Sequence, residues 1–120
     1  MIGRRAITAV LKGTAAAIAV AVFLAMPVDE TKSAATPKTH LIEIYGLKFT
    51  DPKEPVHTGD MIVWINKDIV PHTASDTAGK WDSGDISPDA SWRMTVQTAG
   101  VLDYLCLYHP SMRAKIVVSK

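Results

Sequence analysis

The chain has 120 residues, of which 48% are hydrophobic, and its formal net charge at pH 7 is +1. This composition excludes an intrinsically disordered chain, and the lack of a basic stripe excludes a nucleic-acid-binding protein. The length allows one domain with a modest core, which a bound metal ion would help to stabilise.

The N-terminal segment, residues 1–35, is predicted to be a signal peptide for export to the periplasm. Arg4, Arg5 and Lys12 form a basic region, and an apolar run, residues 14–26, follows. The run is short for a membrane span, which needs about 20 apolar residues. Cleavage is expected after Ala35. An uncleaved membrane anchor is the alternative, and the paired arginines leave a twin-arginine export route open.

The following linker, residues 36–39, leads into a predicted domain over residues 40–120. Apolar residues alternate with polar ones in short segments, which is the period of half-buried strands. The segments are 40–46, 61–66, 91–98, 101–106 and 114–119. Turn-forming residues separate them, and no sustained helical period occurs. The pattern predicts an all-β fold, either an antiparallel sandwich or a small barrel.

The stretch CLYHPSM, residues 106–112, contains the only cysteine of the chain. An unpaired cysteine is unusual in an exported protein unless something protects its thiol, and metal ligation does so. His109 and Met112 follow Cys106 at successive three-residue steps. A thiolate, an imidazole and a thioether form a soft ligand set that favours copper.

A blue-copper site needs a second histidine, and three remain. His72 follows Pro71 in a loop after the 61–66 strand, where the proline stiffens the backbone, so we predict His72 as the fourth ligand. His40 and His57 are expected to be solvated residues at strand edges. The sequence therefore predicts a copper site of His72, Cys106, His109 and Met112.

Three segments resemble the cupredoxin family: GDMIVWINKDIVPHTA, WDSGDISPDASW and GVLDYLCLYHPSMRAKIVV. The two-residue gaps on both sides of His109 resemble the amicyanin type in particular. The resemblance implies a Greek-key β-sandwich of about seven to eight strands holding one type 1 copper that cycles between Cu(I) and Cu(II). It also implies that Met112 is the axial ligand and that Asn66 ties the His72 loop to the ligand loop.

The resemblance implies a periplasmic electron-transfer protein, not an enzyme, that acts as a monomer between redox proteins. The candidate donor is methylamine dehydrogenase or another dehydrogenase, and the candidate acceptor is a c-type cytochrome. A periplasmic copper carrier without electron transfer is the alternative function, and a thiol enzyme using Cys106 is a weaker one. Trp64, Trp81 and Trp92 are interpreted as packing aromatics in preference to electron relays.

Overall fold

The computed structural model describes residues 12–28 and 35–120. Arg4 and Arg5 of the predicted signal peptide lie outside the described residues, whereas its apolar run, residues 14–26, lies within them and forms neither helix nor strand. In the described part of the chain, no helix combines the length and the apolar character needed to cross a membrane. Of the described residues, 12–28 belong to one compact unit and 35–120 to another.

The second unit is built from strands, as the alternating pattern predicts. Five of them correspond to the predicted segments, and three two-residue strands add to these. In chain order the eight described strands are β1 (Thr39–Tyr45), β2 (Lys48–Phe49), β3 (Val56–His57), β4 (Met61–Asn66), β5 (Ser75–Asp76), β6 (Ser91–Thr95), β7 (Gly100–Leu105) and β8 (Arg113–Ser119). The predicted all-β class and strand number are confirmed.

The strands form two four-stranded sheets, with the orders β2-β1-β4-β6 and β3-β8-β7-β5. The expectation of a purely antiparallel sandwich is wrong, because β1 pairs with β4 in parallel and β3 pairs with β8 in parallel. A parallel pair needs a long crossover. Here residues 46–60 supply it between β1 and β4, passing through β2 in one sheet and β3 in the other.

The core lies between the two sheets and is filled by alternate residues of the long strands. Ile42 and Ile44 of β1, Ile62 and Trp64 of β4, and Tyr104 of β7 are fully buried. Successive side chains of a strand point to opposite faces, so this alternation places one row of each strand in the core. The alternating pattern that predicts the strands therefore also separates their buried rows from their outer rows.

A tight turn joins β1 to β2 at the end of the sandwich where β4 and β7 also finish. Its two central residues, Gly46 and Leu47, both have φ near +59°, as a two-residue type I′ hairpin requires. Leucine rarely adopts this backbone conformation. The Asp68 carboxylate accepts hydrogen bonds from both backbone N–H groups, at 2.7 and 3.0 Å, and so stabilises the turn.

Candidate metal centre

Three of the four predicted ligands converge at the end of the sandwich that contains the turn between β1 and β2. The Sγ atom of Cys106 lies 3.7 Å from Nδ1 of His72 and 3.7 Å from Nδ1 of His109. The donor atoms of the three residues all lie within 4.8 Å of one another. Cys106 and His72 are fully buried, and His109 is half-buried. Of the three residues, only His109 is therefore partly exposed to solvent.

The loop from Cys106 to Met112 is folded tightly on itself. His109 N–H donates to the Cys106 carbonyl at 3.3 Å, and Met112 N–H donates to the His109 carbonyl at 2.8 Å. The Cys106 N–H in turn donates to the Met112 carbonyl at 3.0 Å. Met112 is 4% exposed. The three-residue steps therefore place Cys106, His109 and Met112 on one compact loop, with Met112 buried in the core.

His72 is oriented by a neighbour that the sequence analysis did not identify. Its Nε2–H donates to the Asp68 carboxylate at 2.8 Å, and this assignment leaves Nδ1, the nitrogen that faces Cys106, as a free lone pair. Burial of Asp68 opposes ionisation, but the N–H groups of Leu47, Gly46 and His72 outweigh it and lower the pKa of the carboxyl. Asp68 thus holds His72 in the tautomer that can bind a metal.

The sulfur of Cys106 accepts one hydrogen bond from the backbone. Thr73 N–H donates to Sγ at 3.3 Å, and the Thr73 hydroxyl accepts a hydrogen bond from Leu107 N–H at 2.8 Å. Thr73, which follows the predicted ligand His72, therefore contacts both Cys106 and the loop that begins at Cys106. This hydrogen bond restrains the Cys106 side chain within the cluster.

Asn66 is buried, as expected for a structural residue, but its contacts differ from those the resemblance implies. Its Nδ2 donates to the carbonyls of Val70 and Ile86, both at 2.8 Å, and its Oδ1 accepts from Asp68 N–H at 2.9 Å. Asn66 therefore ties the His72 loop to the segment around Ile86. The tie to the ligand loop is made by Thr73 instead.

The two remaining histidines lie apart from this cluster. His57 is exposed, as predicted. The expectation for His40 is wrong, because His40 is 5% exposed and its Nε2 lies 2.8 Å from the buried Asp60 carboxylate. A charged partner satisfies the imidazole in the interior. The two residues are 20 positions apart, so no local motif predicts the pair.

The loop that holds His109 has a second anchor in Tyr108. The Tyr108 hydroxyl donates to the Asp85 carboxylate, and this hydrogen bond raises the pKa of the phenol. Both side chains lie at the surface. The contact joins the ligand loop to residues 82–86, whose last member also hydrogen-bonds to the backbone of His72.

The donor chemistry of the cluster fits copper. Two imidazole nitrogens around one thiolate, with a methionine on the same loop, form the set used in blue-copper sites. A structural zinc site normally has four ligands of the cysteine, histidine or carboxylate type. The described residues within reach supply only three such ligands.

The chain is similar in sequence to amicyanins, although no family model matches it. An amicyanin of Paracoccus denitrificans is 31% identical over 83 residues, which cover 65% of this chain and 63% of that protein. An amicyanin-alpha of Methylorubrum extorquens is 26% identical over 82 residues, which cover 64% of this chain and 69% of that protein. The match to the Paracoccus protein thus spans less than two thirds of its length.

Solved structures of amicyanin are also similar to this chain in fold. An oxidised mutant of amicyanin has a TM-score of 0.62 and 29% identity, covering 67% of this chain and 81% of that one. A second mutant, described as Cu(I), has a TM-score of 0.60 and 28% identity, covering 68% and 82%. The chain is thus amicyanin-like in sequence and in fold, with two facing mixed sheets and a His-Cys-His cluster at one end.

Proposed function

We propose that the protein is a periplasmic type 1 copper protein that carries single electrons between redox partners. The observation that carries this proposal is the convergence of His72 Nδ1, Cys106 Sγ and His109 Nδ1 within 4.8 Å. These atoms are the proposed equatorial ligands of one copper ion, and Met112, on the same loop, is the proposed axial ligand. Likeness to amicyanins, one of them solved in a Cu(I) state, supports the same function.

When bound, the copper ion supplies a one-electron couple between Cu(I) and Cu(II). The chain contributes a ligand set that its own hydrogen bonds hold in place. Asp68 fixes His72, Thr73 fixes Cys106 and its loop, and the loop's own hydrogen bonds fix His109 and Met112. Ligands held in this way need to move little when the charge of the site changes, and a small rearrangement favours fast electron transfer.

The loops that carry the ligands also expose apolar side chains suited to weak docking. Ile69 and Val70 precede His72 and are 94% and 39% exposed, and Leu107 and Tyr108 precede His109 and are 55% and 53% exposed. Redox proteins meet through small interfaces that permit rapid turnover. We infer that a redox partner docks over these loops and that electrons pass through the His109 edge. A dehydrogenase as donor and a c-type cytochrome as acceptor fit this role.

The proposed location follows from the N-terminal sequence. A basic start and the apolar run at residues 14–26 support residues 1–35 as an export signal. The domain over residues 40–120 would then fold and acquire copper in the periplasm. The N-terminal residue of protein purified from a periplasmic fraction tests this assignment, since cleavage after Ala35 leaves a chain that begins at Thr36.

Replacing the thiolate tests the proposed site. Cys106→Ala should abolish the intense blue colour of the Cu(II)-loaded protein, because that colour arises from charge transfer from the thiolate to the metal. Ser111→Ala, a change in the same loop at a residue outside the ligand set, is the control and should remain blue. A Cys106→Ala protein that is still blue contradicts the assignment. Reduction of the blue protein by a redox partner, without transfer of copper to an acceptor, then distinguishes electron transfer from copper delivery.

A further inference from the structure

The core contains a continuous chain of oxidisable aromatic rings. The ring centroids of Tyr104 and Trp64 are 5.6 Å apart, those of Trp64 and Trp92 are 5.3 Å apart, and those of Trp64 and Trp81 are 5.7 Å apart. Trp81 and Trp92 stack on each other at 6.0 Å with an interplanar angle of 17°. Trp64 therefore contacts all three of the other rings.

The inner end of this chain adjoins the candidate metal centre. Tyr104 lies two residues before Cys106, so both side chains point to the same face, and both are fully buried. Trp64 is also fully buried, two residues before Asn66, which supports the His72 loop. The innermost rings are thus shielded from solvent and placed beside the strand end that delivers the thiolate.

The outer end reaches the surface on one side of the sandwich. β6 lies at one edge of its sheet, and β5 lies at one edge of the other sheet. No described strand closes the space between these two edges. Trp92, on β6, and Trp81 fill that space and are both partly exposed. Trp81 also lines a cleft of about 280 Å³ together with Met94 and Leu102. A small solute can therefore meet an indole there.

Trp64 is better suited than Tyr104 to hold a radical in the core. Oxidation of a phenol at moderate potential requires loss of its proton, and the Tyr104 hydroxyl has no hydrogen-bond acceptor among the described residues. An indole can lose an electron and retain its proton for a time. Trp64 is therefore the ring through which an oxidising equivalent can pass.

We propose that Trp81, Trp92 and Trp64 form a relay that carries oxidising equivalents from the surface cleft to the reduced metal centre. This proposal rests on the proposed function, since Cu(I) held at Cys106 is the terminal electron donor. The three tryptophans pack the core and the sandwich edge, as the sequence analysis predicts. Their unbroken contact gives them a second role, which protects the protein from strong oxidants.

Each step of the proposed relay transfers one electron. A one-electron oxidant, such as an oxygen-derived radical, takes one electron from Trp81 or Trp92 and is itself reduced. The resulting indole radical cation is refilled by an electron from Trp64. Trp64 is refilled by an electron from Cu(I), which leaves Cu(II) and three intact indoles. The usual electron donor of the protein then restores Cu(I).

Flash photolysis tests the relay on the full domain loaded with Cu(I) or with redox-inert Zn(II). A photoexcited ruthenium complex with a sacrificial acceptor oxidises the exposed indoles, and transient absorption follows the indole radical and the blue Cu(II) band. We expect the radical to decay several-fold faster in the Cu(I) protein, with the blue band rising at the same rate. Peptide mass spectrometry should find less oxidised Trp81 and Trp92 in the Cu(I) protein than in the Zn(II) protein.

Three variants identify the route. Trp64→Phe should slow the rise of the blue band and increase oxidation of the outer indoles, whereas Phe49→Leu should change neither. Phe49 is the matched control because its ring also packs in this cluster, 4.7 Å from Tyr104, but is not readily oxidised. Should Trp64→Phe not fold, Trp81→Phe combined with Trp92→Phe removes only partly exposed rings and should slow the blue band equally.

Two results would overturn the relay. Equal radical lifetimes in the Cu(I) and Zn(II) proteins would do so, as would a blue band that rises equally fast without the tryptophans. If the Cu(II)-loaded protein is blue before photolysis and the lifetimes are equal, the relay alone is wrong. If that protein shows no blue band, the proposed function is wrong and the relay is wrong with it.

Discussion

Asp68 determines which nitrogen of His72 is available to a metal. One carboxylate accepts hydrogen bonds from His72 Nε2–H and from the N–H groups of Gly46 and Leu47. The imidazole cannot rotate without breaking the first contact, and the turn between β1 and β2 holds the carboxylate in place. The orientation of a proposed ligand therefore depends on a turn more than 20 residues earlier in the chain.

We expect Asp68→Asn to weaken copper binding about 10–100-fold, which is the usual effect of removing a group that orients a metal-binding histidine. The neutral asparagine amide lacks the negative charge with which Asp68 favours the Nε2–H tautomer of His72. Competition with a chelator measures the affinity. Asp51→Asn, a change at an exposed aspartate after β2, is the control. Unchanged affinity in Asp68→Asn would show that the carboxylate does not position His72.

At the scale of elements, two loops form the candidate site, and Thr73 joins them. The loop between β4 and β5 supplies His72, and the loop between β7 and β8 supplies His109 and Met112. Thr73 hydrogen-bonds to Cys106 Sγ and to Leu107 N–H. These contacts connect residues 33 and 34 positions apart, so one threonine links the two loops directly.

Removing the Thr73 hydroxyl tests this link. Thr73→Val leaves the part-buried Leu107 N–H without its acceptor, which typically costs about 1–3 kcal/mol of the free energy of unfolding. Urea denaturation of the metal-free domain measures that cost. Thr73→Ser retains the hydroxyl and should lie much closer to wild type. Equal stability of the valine and serine variants would show that the hydrogen bond contributes nothing.

Over the whole molecule, a buried polar network ties the two sheets together at the end opposite the candidate site. The Asp60 carboxylate accepts hydrogen bonds from Lys38 N–H, His57 N–H and His40 Nε2. The network thus joins the start of β1 and the end of β3 to Asp60, the residue before β4. The hydrogen bonds from Lys38, His40 and His57 lower the pKa of Asp60 well below its ordinary value.

The stabilisation that Asp60 provides should decrease as the solution becomes acidic. The folded-state pKa of Asp60 lies below its unfolded value of about 3.9, so its stabilisation is complete above about pH 4 and is lost as the pH falls towards the folded pKa. Asp60→Asn should lower the free energy of unfolding at pH 7 by about 1–3 kcal/mol. The difference from wild type should shrink in more acidic solution.

Urea denaturation at several pH values measures this difference. Glu54→Gln is the control, because Glu54 pairs with Lys38 at the surface, where both side chains are about 60% exposed, and exposed pairs stabilise little. A difference between Asp60→Asn and wild type that stays constant from neutral to acidic pH would contradict the role of the ionised carboxylate.

The long strands and the grouping of Cys106, His109 and Met112 on one loop could be predicted from the sequence because both depend on local spacing. Ile42 and Ile44 alternate within β1, and Cys106 and His109 lie in one short loop. Strands of two residues are too short to show a period. Parallel pairing, the His40–Asp60 pair and the positioning roles of Asp68 and Thr73 depend on contacts between distant residues, which periodicity and local motifs do not encode.

The visible and EPR spectra of the Cu(II)-loaded domain test the central claim most directly. A trigonal site of His72, Cys106 and His109 should give intense blue absorption from thiolate charge transfer and an unusually small parallel copper hyperfine splitting. A pale protein with the large splitting of ordinary tetragonal Cu(II) would contradict the proposed type 1 site.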